Sequence, residues 1–217
     1  MYKNFFKRFI DIVLSLIGLP LFAIVFIVAA PLIWLTDKGP VFYNAERLGK
    51  DGKVFKMYKF RSMKVNSPNL LNADGSTYNG DNDPRVTKIG RILRKTSLDE
   101  APQLLNVLKG DMSVIGPRAH LTTNYKGYDA LDEKRKRRIS VRPGITGYSQ
   151  AYFRNSITSE QKIENDVYYV DNISFIFDLK IFFRTAYSVL ARKNVYVNQE
   201  KPVQPAKAEE KTEVVEK

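Results

Sequence analysis

Residues 9–34 read FIDIVLSLIGLPLFAIVFIVAAPLIW, an apolar run whose only charge is Asp11. No other part of the chain restricts the fold so strongly. As one straight helix the run would be about 39 Å long, against about 30 Å of bilayer hydrocarbon. A spanning helix is therefore one reading. A cleavable signal peptide is not, because the run is too long and no small-residue cleavage site precedes polar sequence. Two features favour another course. Lys3, Lys7 and Arg8 flank one end and Lys38, Arg47 and Lys50 follow the other, and the positive-inside rule draws both flanks to the cytoplasm. Pro20, in the tripeptide GLP, removes one helical hydrogen bond and clashes with the preceding turn. Residues 9–19 alone would make a half-helix of about 16 Å. The expectation is a broken helix that dips into one leaflet and returns, with the backbone at the break satisfied locally.

Composition narrows the chemistry. The chain has 217 residues, a formal net charge of +12 and a pI of about 9.7. Such a balance suits a polyanion, an anionic membrane surface or a phosphorylated substrate. With no cysteine and one histidine, His120, disulfides, thiol nucleophiles, Cys-based zinc sites and multi-His metal sites are excluded. Carboxylates, Arg, Lys or a hard metal must carry any catalysis.

Beyond the apolar run the pattern is α+β and mostly helical. Residues 37–65 alternate apolar and polar side chains around turns at Gly39-Pro40 and Asp51-Gly52. NSPNLLNADGSTYNGDNDP reads as a loop. Helices are expected at about 86–95 and 98–109, the second ended by Gly110. ALDEKRKRRISV is a charged helix, its five bases Lys134 to Arg138 a solvated face or one resting on anionic lipid, with a nucleic-acid patch as the third possibility. SEQKIENDVYYV is helical. In SFIFDLKIFFRTAYSVLARK, Phe175, Leu179, Phe182, Ala186 and Val189 share a stripe that suits either a membrane interface or the core. From about Asn198 the Lys/Glu-rich tail is expected to be disordered. The units are residues 1–36 for the membrane helix and its basic flank, 37–197 for a compact domain and 198–217 for the tail.

At the junction of the two central helices stands SLDE, residues 97–100. Ser97 with Glu100 matches a capping box, and Pro102 suits a first turn, so Asp99 and Glu100 read first as acids at a helix start. Their surroundings add a second meaning. Arg94 lies just upstream, and further bases stand in tight turns: Lys59 and Arg61 in YKFRSM, Arg85 in DPR, Arg118 in IGPR, Arg142 in VRPG. Guanidinium groups hold phosphate oxygens bidentately, and a facing carboxylate can share Mg²⁺ with a diphosphate or attack phosphorus to give an aspartyl phosphate.

The segments GPVFYNAERLG, FKMYKFRSM, DPRVTKIGRILRKTSLDEAPQLLNVLKGDMSVIGPR, VRPGITGYSQAYFRNS and DVYYVDNISFIFDLKIFF closely resemble the bacterial sugar transferase family. The chain looks like one of its small monotopic phosphoglycosyl transferases, and the resemblance covers about residues 2–195. It implies a re-entrant membrane helix, a small cytosolic catalytic domain with interfacial amphipathic helices, and a place on the cytoplasmic face of the bacterial inner membrane. It implies transfer of a sugar 1-phosphate from a UDP-sugar to undecaprenyl phosphate with release of UMP, the priming step of capsule, exopolysaccharide or other glycan assembly. By the same resemblance Asp99 is the nucleophile, and Glu100 supports catalysis and, with Asp99, Mg²⁺. Lys59, Arg61, Arg85, Arg94, Arg118, Arg142 and Arg154 contact the substrates. The expected partners are the UDP-sugar, undecaprenyl phosphate, membrane phospholipid and downstream glycosyltransferases, with no nucleic acid. Three positions depart from the family pattern: Ala101 beside the dyad, Ala119 where GPRP becomes GPRA, and Tyr148 where ITGW becomes ITGY. Pro20 also falls about a turn earlier than in the family.

Two rival readings stand beside this one. Asp81 to Asp83, DND, could be the metal motif of an ordinary nucleotide-sugar glycosyltransferase that releases UDP. A basic, membrane-anchored adaptor would explain the charge without using the dyad.

Overall fold

The computed structural model describes residues 2–68, 70–71, 78, 80, 82–122, 125–154, 156–191 and 204–205. A π-helical turn, Tyr2–Phe6, leads into α1 (Lys7–Asp37), which runs uninterrupted through Pro20 and Pro31. The expected break at Pro20 does not occur. A proline removes one bond from a helix ladder, and here the helix is gripped on both sides of that gap. Before it, Gly18 lies against Leu104. After it, Phe22, Val25, Ala29 and Ile33 pack with Phe60 and Leu93.

Both ends of α1 meet the same domain. At its start Arg8 donates to the carbonyls of Val107 and Leu108 at 2.6 and 3.0 Å. Asp11, buried, accepts from the Ser113 hydroxyl at 2.9 Å and the Val114 amide at 2.8 Å. Lys7 and the Tyr2 hydroxyl reach Asp178 at 2.7 and 2.6 Å. At its finish Arg61 donates to Asp37 at 2.5 Å and to the Ile33 carbonyl at 3.3 Å, and the Val65 amide donates to Asp37 at 2.9 Å. The helix is long and apolar enough to cross a bilayer, yet it is laid along the domain. Leu16, Ile17, Leu21, Ile24, Ile27 and Val28 are left exposed.

The strands β1 (Ala45–Leu48) and β2 (Val54–Met57) form an antiparallel hairpin whose tight turn has Asp51 and Gly52 at positive φ. A two-residue strand β3 (Leu70–Leu71) comes after it. Then come α2 (Lys88–Thr96), α3 (Gln103–Lys109), β4 (Ser113–Ile115) and β5 (His120–Leu121), which extends the hairpin into a sheet of order β2-β1-β5. Next are α4 (Glu133–Arg138), β6 (Gly144–Thr146, parallel to β4), α5 (Tyr148–Tyr152), α6 (Ser159–Asp171) and α7 (Phe175–Leu190). Of the tail, only β7 (Gln204–Pro205), paired antiparallel with β3, is described. The expected disorder of residues 198–217 otherwise falls outside the described residues. The α+β, mostly helical reading agrees with this architecture.

One core cluster joins Ile115, Ala151, Tyr169, Val170 and Ile181; another joins Phe55, Met57, Val107 and Met112. Gly116, Gly144 and Gly147 meet where the IGPR and PGITG loops cross. A Cβ at Gly147 would sit 2.0 Å from the Gly116 carbonyl oxygen, and one at Gly144 2.1 Å from the Gly116 nitrogen.

In α7 the stripe of Phe175, Leu179, Phe182 and Ala186 faces outward, with Val189 half-buried. Asp178, Ile181 and Ser188 face inward. The polar residues win the inner face because Asp178 collects three donors there: Tyr2, Lys7 and the Tyr169 hydroxyl at 2.7 Å. The core alternative for that stripe is thereby set aside. In α4 each base has an acidic partner: Lys134 with Glu164, Arg135 with Asp132, Lys136 with Glu133, Arg137 with Asp171 and Arg138 with Asp166.

Asp11→Leu is expected to lower stability by about 1–3 kcal/mol, because it removes the acceptor of the buried Ser113 hydroxyl and the half-buried Val114 amide. The thermal midpoint in detergent micelles measures this, and an unchanged midpoint would show that Asp11 does not anchor the helix.

Candidate active site

The dyad does not sit at a capped helix start. Ser97 is left-handed (φ 58°) and closes α2, its amide bonding back to the Arg94 and Leu93 carbonyls. An N-cap needs extended backbone, so Ser97 does not cap the next turn, and the expected capping box is absent. Leu98, Asp99 and Glu100 form one 3₁₀ turn, and α3 begins after Pro102. The turn is fixed by backbone: the Phe60 amide donates to the Asp99 carbonyl at 2.9 Å, and the Ala101 amide to that of Leu98 at 3.1 Å.

Freed from capping, the two carboxylates turn to cations. Lys59 Nζ lies 2.7 Å from Asp99 Oδ2 and 3.3 Å from Glu100 Oε1. Arg118 Nη2 lies 3.3 Å from the same Glu100 oxygen. Asp99 is buried, and Arg118 is half exposed. Burial alone would push the Glu100 pKa up, but the charges of Lys59 and Arg118 overcome it and hold the carboxyl at about 2. Glu100 in turn raises the pKa of Arg118.

Two further guanidiniums stand close enough to feel the Glu100 charge. Burial lowers the pKa of Arg154, and Glu100 opposes that; its Nη2 is also 3.5 Å from the Ser97 hydroxyl. Arg47 on β1 was expected only as a basic flank. Burial and the Arg118 charge lower its pKa, and Tyr43 and Glu100 oppose this. Its Nη1 is shut off from solvent without a partner among the described residues. The signal for Arg47 lay in strand alternation: Ala45 and Arg47 turn inward while Glu46 is exposed, so a charge occupies the inner face.

The remaining expected contacts lie elsewhere. Arg85 is consumed by its own loop. It holds buried Asp83 through Nε and Nη2 at 2.9 and 2.7 Å, and its other donors reach the Pro68 and Tyr78 carbonyls at 3.0 and 2.9 Å. Arg61 is buried against the end of α1. Arg142 donates to the Gly110 carbonyl at 2.8 Å, capping the far end of α3. Arg94 donates to the Ser62 hydroxyl at 2.9 Å. Of the departures, Ala119 is half-buried and packs against Phe55, Met57, Val107 and Met112. Tyr148 joins an aromatic group with Tyr152, Tyr168 and Phe177.

Among the described residues no group of three or more His, Asp or Glu side chains converges. Two adjacent carboxylates do, and they fit a Mg²⁺ of the kind that completes its shell with substrate phosphates and water.

The sequence model of the family described as bacterial sugar transferase matches residues 2–192. Among curated proteins, the chain is 41% identical over 192 residues to a galactosyl transferase, CpsE, of Streptococcus agalactiae serotype III, a match covering 85% of this chain and 42% of that one. It is 41% identical over 196 residues to a UDP-glucose:undecaprenyl-phosphate glucose-1-phosphate transferase of Klebsiella pneumoniae, covering 88% of this chain and 41% of that one. It is 42% identical over 194 residues to the exopolysaccharide production protein PSS of Rhizobium leguminosarum bv. phaseoli, covering 86% of this chain and 96% of that one. The chain thus spans less than half of the first two relatives and nearly all of the third.

Because the folded Glu100 pKa, about 2, lies below its ordinary 4.5, the folded state favours the ionised form. That stabilisation is fully present above about pH 4.5 and disappears as pH falls towards 2. Denaturant titrations in detergent are expected to show stability falling with acid across that window, with a shallower slope for Glu100→Gln. Equal slopes would detach Glu100 from the charge cluster.

Proposed function

The chain belongs to the bacterial sugar transferase family, and on that premise we propose that it transfers a sugar 1-phosphate from a UDP-sugar to undecaprenyl phosphate, releasing UMP. The observation that carries this reading is the Asp99–Glu100 pair held by Lys59 and Arg118, with Arg47 and Arg154 feeling the Glu100 charge. Cations gathered on adjacent carboxylates make a seat for a diphosphate, since positioning and charge stabilisation are most of what phosphoryl transfer requires.

In the first step an Asp99 carboxylate oxygen attacks the β-phosphorus. The bond from that phosphorus to the bridging oxygen breaks, its electron pair leaves with UMP, and an aspartyl phosphosugar forms. In the second step a phosphate oxygen of undecaprenyl phosphate attacks the same phosphorus, and the Asp99 carboxylate departs unchanged. Lys59 contacts both acids, so it can pass from Asp99 to the phosphate as the nucleophile engages. Arg118 and Arg154 hold non-bridging oxygens, and Arg47 offers them its unpartnered Nη1. Asp99 and Glu100 are the residues that would hold Mg²⁺, whose chemistry there is neutralisation of phosphate charge.

The lipid acceptor requires the site to lie at headgroup level, and the course of α1 supports that. A spanning helix would carry one end to the opposite face, whereas Arg8 and Asp11 at one end and Asp37 at the other are tied to the same polar domain. In the proposed arrangement α1 lies within one leaflet as a monotopic helix, unbroken at Pro20 rather than dipping and returning. The outward apolar face of α7 rests among phospholipids, and the domain sits on the cytoplasmic face of the inner membrane. The product then passes to downstream glycosyltransferases.

The rival readings find less support. Asp83 of the DND motif is wholly buried and bound by Arg85, and Asp81 lies outside the described residues. The basic run of α4, which an adaptor would use, is paired internally.

Intact-mass measurement after mixing with UDP-sugar alone should show a phosphosugar adduct on wild type and none on Asp99→Asn. A wild type that turns over without the adduct would eliminate the covalent step, and release of UDP in place of UMP would eliminate the reaction class. Arg47→Gln should raise KM for the UDP-sugar about tenfold, near 1.4 kcal/mol. An unchanged KM would remove Arg47 from the diphosphate seat.

A further inference from the structure

On β1 and β5, Leu48 pairs with His120, and the segment 125–131 together with α4 closes over that pair. They bound a cavity of about 220 Å³ whose lining includes Leu48, His120, Tyr125, Leu131, Arg138 and Ile139. None of these residues takes part in the chemistry described above. The cavity is nonetheless joined to the dyad by one residue. Arg118 touches Glu100 with its guanidinium at 3.3 Å, and its carbonyl accepts from Arg138 Nη2 at 3.0 Å.

The polar equipment of the cavity is specific. Arg138 is only 3% exposed. Its Nε binds Asp166 at 2.7 Å, and its Nη2 binds Asp166 at 2.5 Å and the Arg118 carbonyl. Its Nη1 is sealed from solvent without a partner among the described residues, and so is Nε2 of His120. Buried polar atoms are nearly always satisfied, so two unsatisfied nitrogens on side chains of one cavity point to a missing ligand. Arginine can only donate, whereas a neutral imidazole protonated on Nδ1 accepts at Nε2. The pair therefore offers one donor and one acceptor, framed by Leu48, Leu131, Ile139 and the ring of Tyr125.

We infer that this cavity is the uracil subsite of the nucleotide donor, with Arg138 Nη1 donating to O4 and His120 Nε2 accepting from N3–H. The inference rests on the transferase reading and names the residues that select the base. Uracil presents an acceptor at C4 beside a donor at N3. Cytosine presents the reverse, and Arg138 cannot accept from its amino group. A site built to hydrogen-bond one edge rejects an analogue lacking it.

The test uses the full chain in detergent micelles and compares binding of UDP, CDP, N3-methyl-UDP and inorganic pyrophosphate. Wild type should bind UDP at least about tenfold more tightly than CDP or N3-methyl-UDP. His120→Phe should bring the UDP and N3-methyl-UDP affinities together. Leu131→Trp, which fills the cavity, should weaken UDP by about tenfold and leave pyrophosphate unchanged. Equal binding of all three nucleotides by wild type overturns the inference. So does a variant pair that retains wild-type discrimination, or one that weakens UDP and pyrophosphate together. UMP release from a panel of UDP-sugars is measured in parallel. Absence of release with uracil discrimination intact would sink the transferase reading alone, and release without discrimination would sink the subsite alone.

Discussion

A carboxylate buried in an otherwise apolar helix determines where that helix can lie. Asp11 needs donors, and the donors it finds bring α1 against Ser113 and Val114 at the start of β4. With that point fixed, Arg8 reaches the end of α3, Gly18 meets Leu104, and the second half of α1 falls on Phe60 and Leu93. Elements that frame the dyad, α2, α3 and the segment carrying Lys59, are all built against this one helix. A single buried polar contact thus sets the relation between the apolar surface and the chemistry.

The dyad itself is a balance of opposing terms. Burial disfavours the negative charge of Glu100, and the Lys59 and Arg118 charges more than compensate, so its pKa is depressed. The same cations suit a diphosphate, so the resting site holds its own acids where substrate oxygens would go. On the proposed reading, substrate binding is an exchange of partners for Lys59 and Arg118, which spares the site from carrying uncompensated positive charge when empty.

Much of this was legible in the chain. The apolar run, the terminal glycine of α3, the helix α6 and the apolar stripe of α7 follow from local pattern, because each depends on spacing within one element; which way that stripe faces does not. Asp99, Glu100, Lys59 and Arg118 are brought together by the fold. What local pattern could not reveal is where a side chain spends its donors. Arg61, Arg85 and Arg142 sit in the same kind of turn as Arg118, yet Asp37, Asp83 and the Gly110 carbonyl claim them. Ser97 has the residue type of an N-cap, but α2 needs it left-handed as a terminator, and one residue cannot hold both backbone conformations. Continuity through Pro20 likewise depends on tertiary contacts from residues far along the chain.

Four aromatic rings connect the membrane helix to the dyad. Phe22 and Phe26 of α1 lie 6.1 and 6.3 Å from Phe60, and Phe42 stacks at 5.7 Å from Phe26 and 5.5 Å from Phe60. The amide of Phe60 is the one that holds the Asp99 carbonyl. Stacked rings in a close-packed cluster transmit displacement rather than absorb it. A displacement that lifts or tilts α1 is therefore delivered to the Asp99 backbone through a stiff linkage. On the proposed reading, the lipid around α1 is a mechanical input to the site as well as the source of its acceptor.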